Sequence, residues 1–428
     1  TADLEAIADA GISGIQLFHG RGASEWPGVS PQIPTLSPAW DDMIAHVADE
    51  TARLDLRFTM QNCPGWAMSG GPWITPDKAM RHLIWSRQDV TGGGTLNLPL
   101  AQPQPSDEAW RDYRDVTVIA FPTPLDDVTT DLIPTRLHSN RPDLPWAALL
   151  AGELDGKTEI RLNPSSTPTW LEVSFAESVT LRSIALPPTE FVAMRRIFDP
   201  QITIKVQAIT PTGLVDVTDR EIPRGNWQDK DWDERPLVMA IADHPATGYR
   251  LTFAHTQPMA LRTLRLSSAA RVQDWQGQAG YVLRSLDFSA PPQQDPRAWI
   301  DPEKVIDLGD HLDAYGRLQW HAPAGRWTIL RFGHVNTGVK NKPAPPEATG
   351  FECDKLSPLG AEQHFAGYIG RVSAPGGPAD GGRLKGMLID SWECFTHDQR
   401  PHGRQLFRPP RIARPSPGHD AFVRGCHR

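Results

Sequence analysis

No apolar run in this 428-residue chain approaches the ~20 residues that a membrane-spanning helix needs, so no such span is expected. Cysteine is scarce and unpatterned. Cys63, Cys353, Cys394 and Cys426 share no CxxC spacing, which suggests neither a zinc knuckle nor a disulfide-stapled mini-domain. A basic face is missing as well: 43 Lys plus Arg stand against 51 Asp plus Glu, a net charge of −8, which argues against nucleic acid as the main partner. Tyrosine is down to 5, whereas tryptophan reaches 15. The apolar fraction of 39% is too high for a disordered chain, and the length is too great for one small domain. These absences leave a soluble, multi-domain globular protein.

The abundance of Trp has two readings. Its large face and donor edge suit it to lie against the C–H face of a sugar ring, and its ordinary role is core filling. Pro (41) and Gly (35) favour many turns and short strands. The chain opens at Thr1 with a helix already under way, and the N-terminus reads as cut.

Residues 1–95 alternate helix and strand. Leu4, Ile7 and Ala8 share a helical face, Gly11 ends that helix, and Gly14–Phe18 is a buried-strand run. Trp40, Met43, Ile44, Val47, Ala48, Thr51 and Leu54 mark a second helix, with Ser37 as N-cap and Pro38 in its first turn. Leu56–Gln61 reads as the next strand, and Thr75 with Pro76 as the start of a helix carrying Met80, Leu83 and Ile84 inward. This order implies a parallel sheet covered by helices. From 96 to 300 period-2 runs dominate, among them Trp170–Ala176, Ile202–Thr210, Tyr249–Ala254 and Leu261–Val272, the pattern of an antiparallel β-sandwich. Over 301–396 the α/β pattern returns: Trp327–Val335 reads as a strand, Ser357 with Pro358 as a helix start with Ala361, Phe365, Tyr368 and Ile369 inward, and Leu384–Asp390 as a buried parallel strand. The expected fold class is therefore α/β plus all-β, a partial TIM-type (β/α)8 barrel interrupted by an inserted sandwich. Loop-closure entropy grows slowly enough to tolerate such an insertion.

The stretch 397–428 differs from the rest. It holds seven Arg, five Pro, four His and two acids, a net +5, with no apolar period. It reads either as a basic tail for polyanions or as a shifted reading frame, the abrupt loss of pattern favouring the latter, and it is expected to be poorly ordered.

Loops after barrel strands build active sites, and three clusters occupy such positions. Asn62, Cys63 and Trp66, followed by Ser69–Trp73, combine two candidate sugar-facing rings, Trp66 and Trp73, with Gly70 and Gly71 for close backbone approach. Glu352 and Asp354 are two apart, so in extended chain they point the same way and could share a cation or sugar hydroxyls; alternatively they form a solvated acidic loop paired with Lys355. Asp390 and Glu393 close an apolar strand, where a low dielectric would keep Glu393 protonated beside Trp392 and fit to donate to a glycosidic oxygen; alternatively the two acids close the strand by capping and ion pairing. His19, His334 and His397 share no HxH or HExxH spacing, and no zinc site is assigned. Gly92–Gly94 lacks the Gly-Lys-Ser/Thr end of a phosphate loop and reads as a domain junction.

The segments TADLEAIADAGISGIQLF, FTMQNCPGWAMSGGPWITPDKAMRHLIWS, GVKNKPAPPEATGFECDKLS and LIDSWE, in this order, resemble the bacterial α-L-rhamnosidases of glycoside hydrolase family 106. The likeness covers 1–95 and about 325–396 well, the middle more loosely, and stops near Thr396. It implies an inverting hydrolase with a (β/α)8 domain, accessory sandwiches, a calcium requirement, an oligo- or polysaccharide substrate and a periplasmic or secreted location. Glu393 would be the general acid, and Glu352 and Asp354 could bind the cation or the substrate; from their strand-end clusters Asn62, Trp66, Trp73 and Asp390 are further expected to meet substrate. The base, about 6.5–9.5 Å from the acid in an inverting enzyme, is expected beyond 396. With about half a barrel, this chain is expected to be inactive and to expose strand edges that aggregate. Two alternatives stand beside this reading: a non-catalytic carbohydrate-binding protein working through its sandwich, and another barrel-plus-sandwich exo-glycosidase.

Overall fold

The computed structural model describes residues 1–390 apart from 20–25, 27, 67, 106–110, 129, 155–158, 187–201, 222–236, 257–258, 262, 282–289 and 342. Trp392, Glu393, His397 and the basic stretch 397–428 lie outside the described residues.

The helix Pro38–Arg53 starts where the sequence places its cap. Ser37 Oγ accepts a hydrogen bond from the Trp40 backbone N–H at 3.2 Å, and Pro38 presets the first turn. The helix buries Trp40, Ile44, Ala48 and Thr51 along one stripe, while Met43 at its margin is 44% exposed. The stripe covers β1 (Gly14–Leu17) and β2 (Arg57–Gln61), which pair in parallel. Phe58 and Met60 of β2 are sealed in the core shared with this helix, each such side chain contributing about 1.5–3 kcal/mol. Alternation along the strand sends Thr59 and Gln61 to the opposite face.

After β2 the expected helix at Thr75–Pro76 is a single 3₁₀ turn, Pro76–Lys78, and Met80, Leu83 and Ile84 belong to the approach and start of β3 (Arg81–Thr91). A long-range partner overrides the local spacing here. The antiparallel region continues with β4 (Gly94–Pro99), β5 (Arg111–Pro122), β6 (Arg136–Ser139), β7 (Ile160–Leu162), β8 (Thr169–Val179), β9 (Ser183–Leu186), β10 (Ile202–Thr210), β11 (Gly213–Glu221), β12 (Leu237–Ala240), β13 (Ala246–His255), β14 (Met259–Leu261) and β15 (Arg265–Ser267). It closes with β16 (Ile306–Asp307), β17 (Arg317–Ala322) and β18 (Arg326–Asn336).

These strands enclose two separate cores, not the one sandwich the sequence suggests. A five-stranded sheet, β11-β10-β13-β8-β6, and the smaller β12-β9-β15 and β14-β7 sheets share a core that includes Leu171, Val206, Tyr249, Leu251 and Met239. The sheets β16-β5-β18-β3 and β17-β4 share another, around Val118, Leu318, Trp320, Trp327 and Ile329. The strand expected to resume the parallel sheet, Trp327–Val335, is part of β18 and lies antiparallel between β3 and β5. An apolar run reports burial on both faces and leaves the direction of its neighbours open.

The chain re-enters the parallel sheet only at β19 (Leu384–Leu388), which pairs with β2 to give the order β1-β2-β19. β19 is less buried than its composition suggests: Met387 is 46% exposed, as is 52% of Ile389 just after it. The preceding helix Pro358–Gly367 differs from expectation too. Ala361 and Phe365 face outward and His364 faces inward, and the chain breaks at Tyr368 before the short helix Ile369–Ser373, which returns Tyr368 and Ile369 to the core. Three parallel strands with helices on one face suit a doubly wound sheet and a barrel alike.

Candidate active site

The three clusters, scattered along the sequence, meet at the C-terminal end of β2. The loop after Gln61 folds against the segment Lys340–Asp354: Trp66 N–H donates to the Pro343 carbonyl at 3.2 Å, Gly71 N–H to the Phe351 carbonyl at 3.1 Å, and Ser69 Oγ to Glu352 Oε2 at 2.8 Å. Gly70 makes this approach possible. Its φ is +110°, and a Cβ there would stand 2.8 Å from Asn341 Cβ and 2.9 Å from the Phe351 carbonyl oxygen. The third cluster joins through the Asn62 N–H, which donates to the Leu388 carbonyl at 2.9 Å, two residues before the half-buried Asp390.

His364 pins the loop from the helix side. Its Nδ1 accepts from Gly70 N–H at 3.2 Å and its Nε2 donates to the Asn62 carbonyl at 2.9 Å, an arrangement that needs the neutral ring. Burial accordingly pulls its pKa from 6.5 down to about 4, against the two backbone hydrogen bonds. Sequence reasoning missed this residue. Its only signal was a polar side chain four positions from Gly360 on the inward stripe of the helix.

Glu352 and Asp354 are both fully buried, so the solvated-loop alternative does not hold, although its ion pair does: Lys355 Nζ lies 2.7 Å from Glu352 Oε2, with both side chains nearly sealed. Burial pushes Glu352 above the ordinary carboxylate range, opposed by the Lys355 ammonium and the Ser69 hydroxyl. Asp354 Oδ1 accepts from Leu356 N–H at 3.1 Å, a turn-forming bond. Burial also pushes the Cys63 thiol up, with Glu352 adding to the effect. Among the described residues no three His, Cys, Asp or Glu side chains converge, and the Lys355 ammonium meets Glu352.

The two candidate tryptophans part company. Trp66 is 44% exposed, standing edge-on to Phe18 at 5.2 Å. Trp73 stacks on Tyr368 at 5.9 Å and wedges against Gly367, so its ring is taken up by packing. A recess of about 280 Å³, lined by Asn62, Ser69, Lys355 and His364 and by the apolar Phe365 and Met387, opens on the helix side of the strand ends, its surface mainly apolar. Asn62, whose Nδ2 donates to the Met68 carbonyl at 2.8 Å, and the half-buried Asp390 remain at the strand ends, and Glu393, whose placement lies outside the described residues, follows Asp390 by three positions.

Comparison with known proteins places this geometry. The sequence model of the family described as alpha-L-rhamnosidase, glycoside hydrolase family 106, matches residues 1–408 and so extends into the basic stretch. The solved structure of a rhamnosidase from Novosphingobium sp. PP1Y superposes with a TM-score of 0.68 at 27% identity, covering 93% of this chain and 37% of that one. A Formosa agariphila protein named "Putative beta-glucuronidase" is 24% identical over 397 residues, 92% of this chain and 21% of the relative. The chain thus spans little more than a third of the solved rhamnosidase and about a fifth of the curated relative. With a family match over nearly its whole length, the chain belongs to the α-L-rhamnosidases of glycoside hydrolase family 106.

Proposed function

We propose that this chain supplies the acid side of the active centre of an α-L-rhamnosidase that removes rhamnose from pectic or related polysaccharides, outside the cytoplasm, with inversion at the anomeric carbon. One observation carries the reading: segments far apart in sequence converge on the C-terminal end of parallel strands, where β/α enzymes keep their chemistry, and the candidate acid Glu393 follows the last of these strands. The three strands are then an arc of a (β/α)8 barrel. Glu393 donates its proton to the leaving glycosidic oxygen as the C–O bond breaks. A water attacks the anomeric carbon from the opposite face and loses its proton to a second carboxylate about 6.5–9.5 Å away, which we place outside the described residues. Trp66, Asn62 and Asp390 would meet the sugar.

The test is hydrolysis of aryl α-L-rhamnosides by the complete enzyme and its Glu393→Gln variant. The variant should lose roughly 10²–10⁴-fold on leaving groups that need protonation and far less on activated ones. Unchanged turnover on the poor leaving group would remove Glu393 from this role. Preferential cleavage of an aryl β-glucuronide would replace the proposed substrate.

A further inference from the structure

Buried polar atoms lacking a hydrogen-bond partner are few in native proteins, and each calls for an explanation. Among the described residues Gln61 Nε2 and Oε1, Asn62 Oδ1, Trp73 Nε1 and Glu352 Oε1 lack partners at the end of β2 or on the segments folded against it, while Gln273 Nε2 and Gln276 Oε1 lack them in the antiparallel region. Gln61 stands apart because its entire carboxamide is unpartnered and the residue is 1% exposed. Each unmet donor or acceptor costs about 1–3 kcal/mol, so a leucine in its place would be easier to fold. Gln61 also projects from the face opposite the helix, away from the apolar recess. Register aligns it with Leu388 on β19, and Phe18, one residue past the paired end of β1, lies on its other side in edge contact with Trp66.

We propose that Gln61 is a sugar-binding residue whose carboxamide receives two neighbouring hydroxyls of a neutral pyranose, one accepting from Nε2 and one donating to Oε1. A carboxamide offers one donor edge and one acceptor side by side, the complement of a vicinal diol. This inference rests on the glycosidase reading and adds a residue that determines specificity.

The test uses the full 428-residue chain and Gln61→Leu, titrated by NMR with methyl α-L-rhamnoside, its monodeoxy analogues, methyl α-L-fucoside and methyl β-D-glucuronide, together with thermal unfolding. Gln61→Leu should weaken binding at least tenfold while its unfolding midpoint stays equal or rises. Removing one of the two hydroxyls should weaken binding to the parent protein and have no further effect in the variant. Equal binding by parent and variant overturns the inference, as does a midpoint that falls together with affinity, the behaviour of a structural amide. If the parent binds only the fucoside or glucuronide and Gln61→Leu abolishes that, the role of Gln61 stands and the rhamnose reading falls. If the parent binds none of these sugars, the inference is overturned.

Discussion

Tyr249 in the five-stranded antiparallel sheet and Gln61 in the parallel sheet are both all but sealed from solvent, yet their polar atoms fare differently. The Tyr249 hydroxyl lies 2.6 Å from the His244 carbonyl and 2.8 Å from the Val179 carbonyl, and it accepts from Leu181 N–H at 3.1 Å. Nearby Arg182, 4% exposed, reaches Asp243 at 2.8 Å and Asp126 and the Ser268 carbonyl at 2.7 and 3.1 Å. Gln61 has none of this. Where polar groups are buried with every partner supplied, they hold the fold. Where they are buried and left unmet at a strand end, the fold bears a cost that a ligand can offset.

The strongest challenge to this contrast is Arg182→Met. Two carboxylates lose their shared cation, and urea unfolding should show a loss of about 3–5 kcal/mol. A loss below ~1 kcal/mol would mean that the partnering in the antiparallel region is incidental. A smaller effect, tied to pH, is expected at His364. The unfolded ring takes a proton near pH 6.5, whereas the folded ring stays neutral down to about 4, so protonation favours the unfolded chain across that window. Its contribution is fully present above pH 6.5 and should decline by about 3 kcal/mol on acidification to pH 4. Urea midpoints measured across this range should fall less steeply in His364→Gln, and parallel slopes would show that the ring is not held neutral. The smallest effect is expected for Tyr249→Phe, which strands the Leu181 N–H and should cost about 1–3 kcal/mol in thermal or urea unfolding. Set beside Gln61→Leu, for which the change should be zero or of opposite sign, this pair tests the contrast most directly.

Much of the architecture was legible because it depends on neighbours in sequence. The cap at Ser37, the stripe Trp40–Ile44–Ala48, and the period-2 strands at Trp170–Ala176, Ile202–Thr210 and Tyr249–Ala254 are local patterns, and each reappears as an element. The failures are equally specific. Thr75–Pro76 opens a turn because Arg81–Thr91 is claimed by β18, and Trp327–Val335 runs antiparallel because β3 and β5 flank it. The run Leu261–Val272 yields only the short strands β14 and β15. At the site, the motif residues were visible as types, but the burial of Glu352, the packing of Trp73 and the clamp by His364 were not.

The amino-acid sequence by itself determined the cap at Ser37, the strand and helix periods and the family, since each is written in residues a few positions apart or in ordered motifs. Only the tertiary structure decided which strands run parallel, which carboxylate meets which cation, and which buried polar atoms go unmet. The physical reason is that hydrogen-bond partners and local dielectric are set by groups such as Ser69 and Glu352, 283 positions apart in the chain and 2.8 Å apart in space.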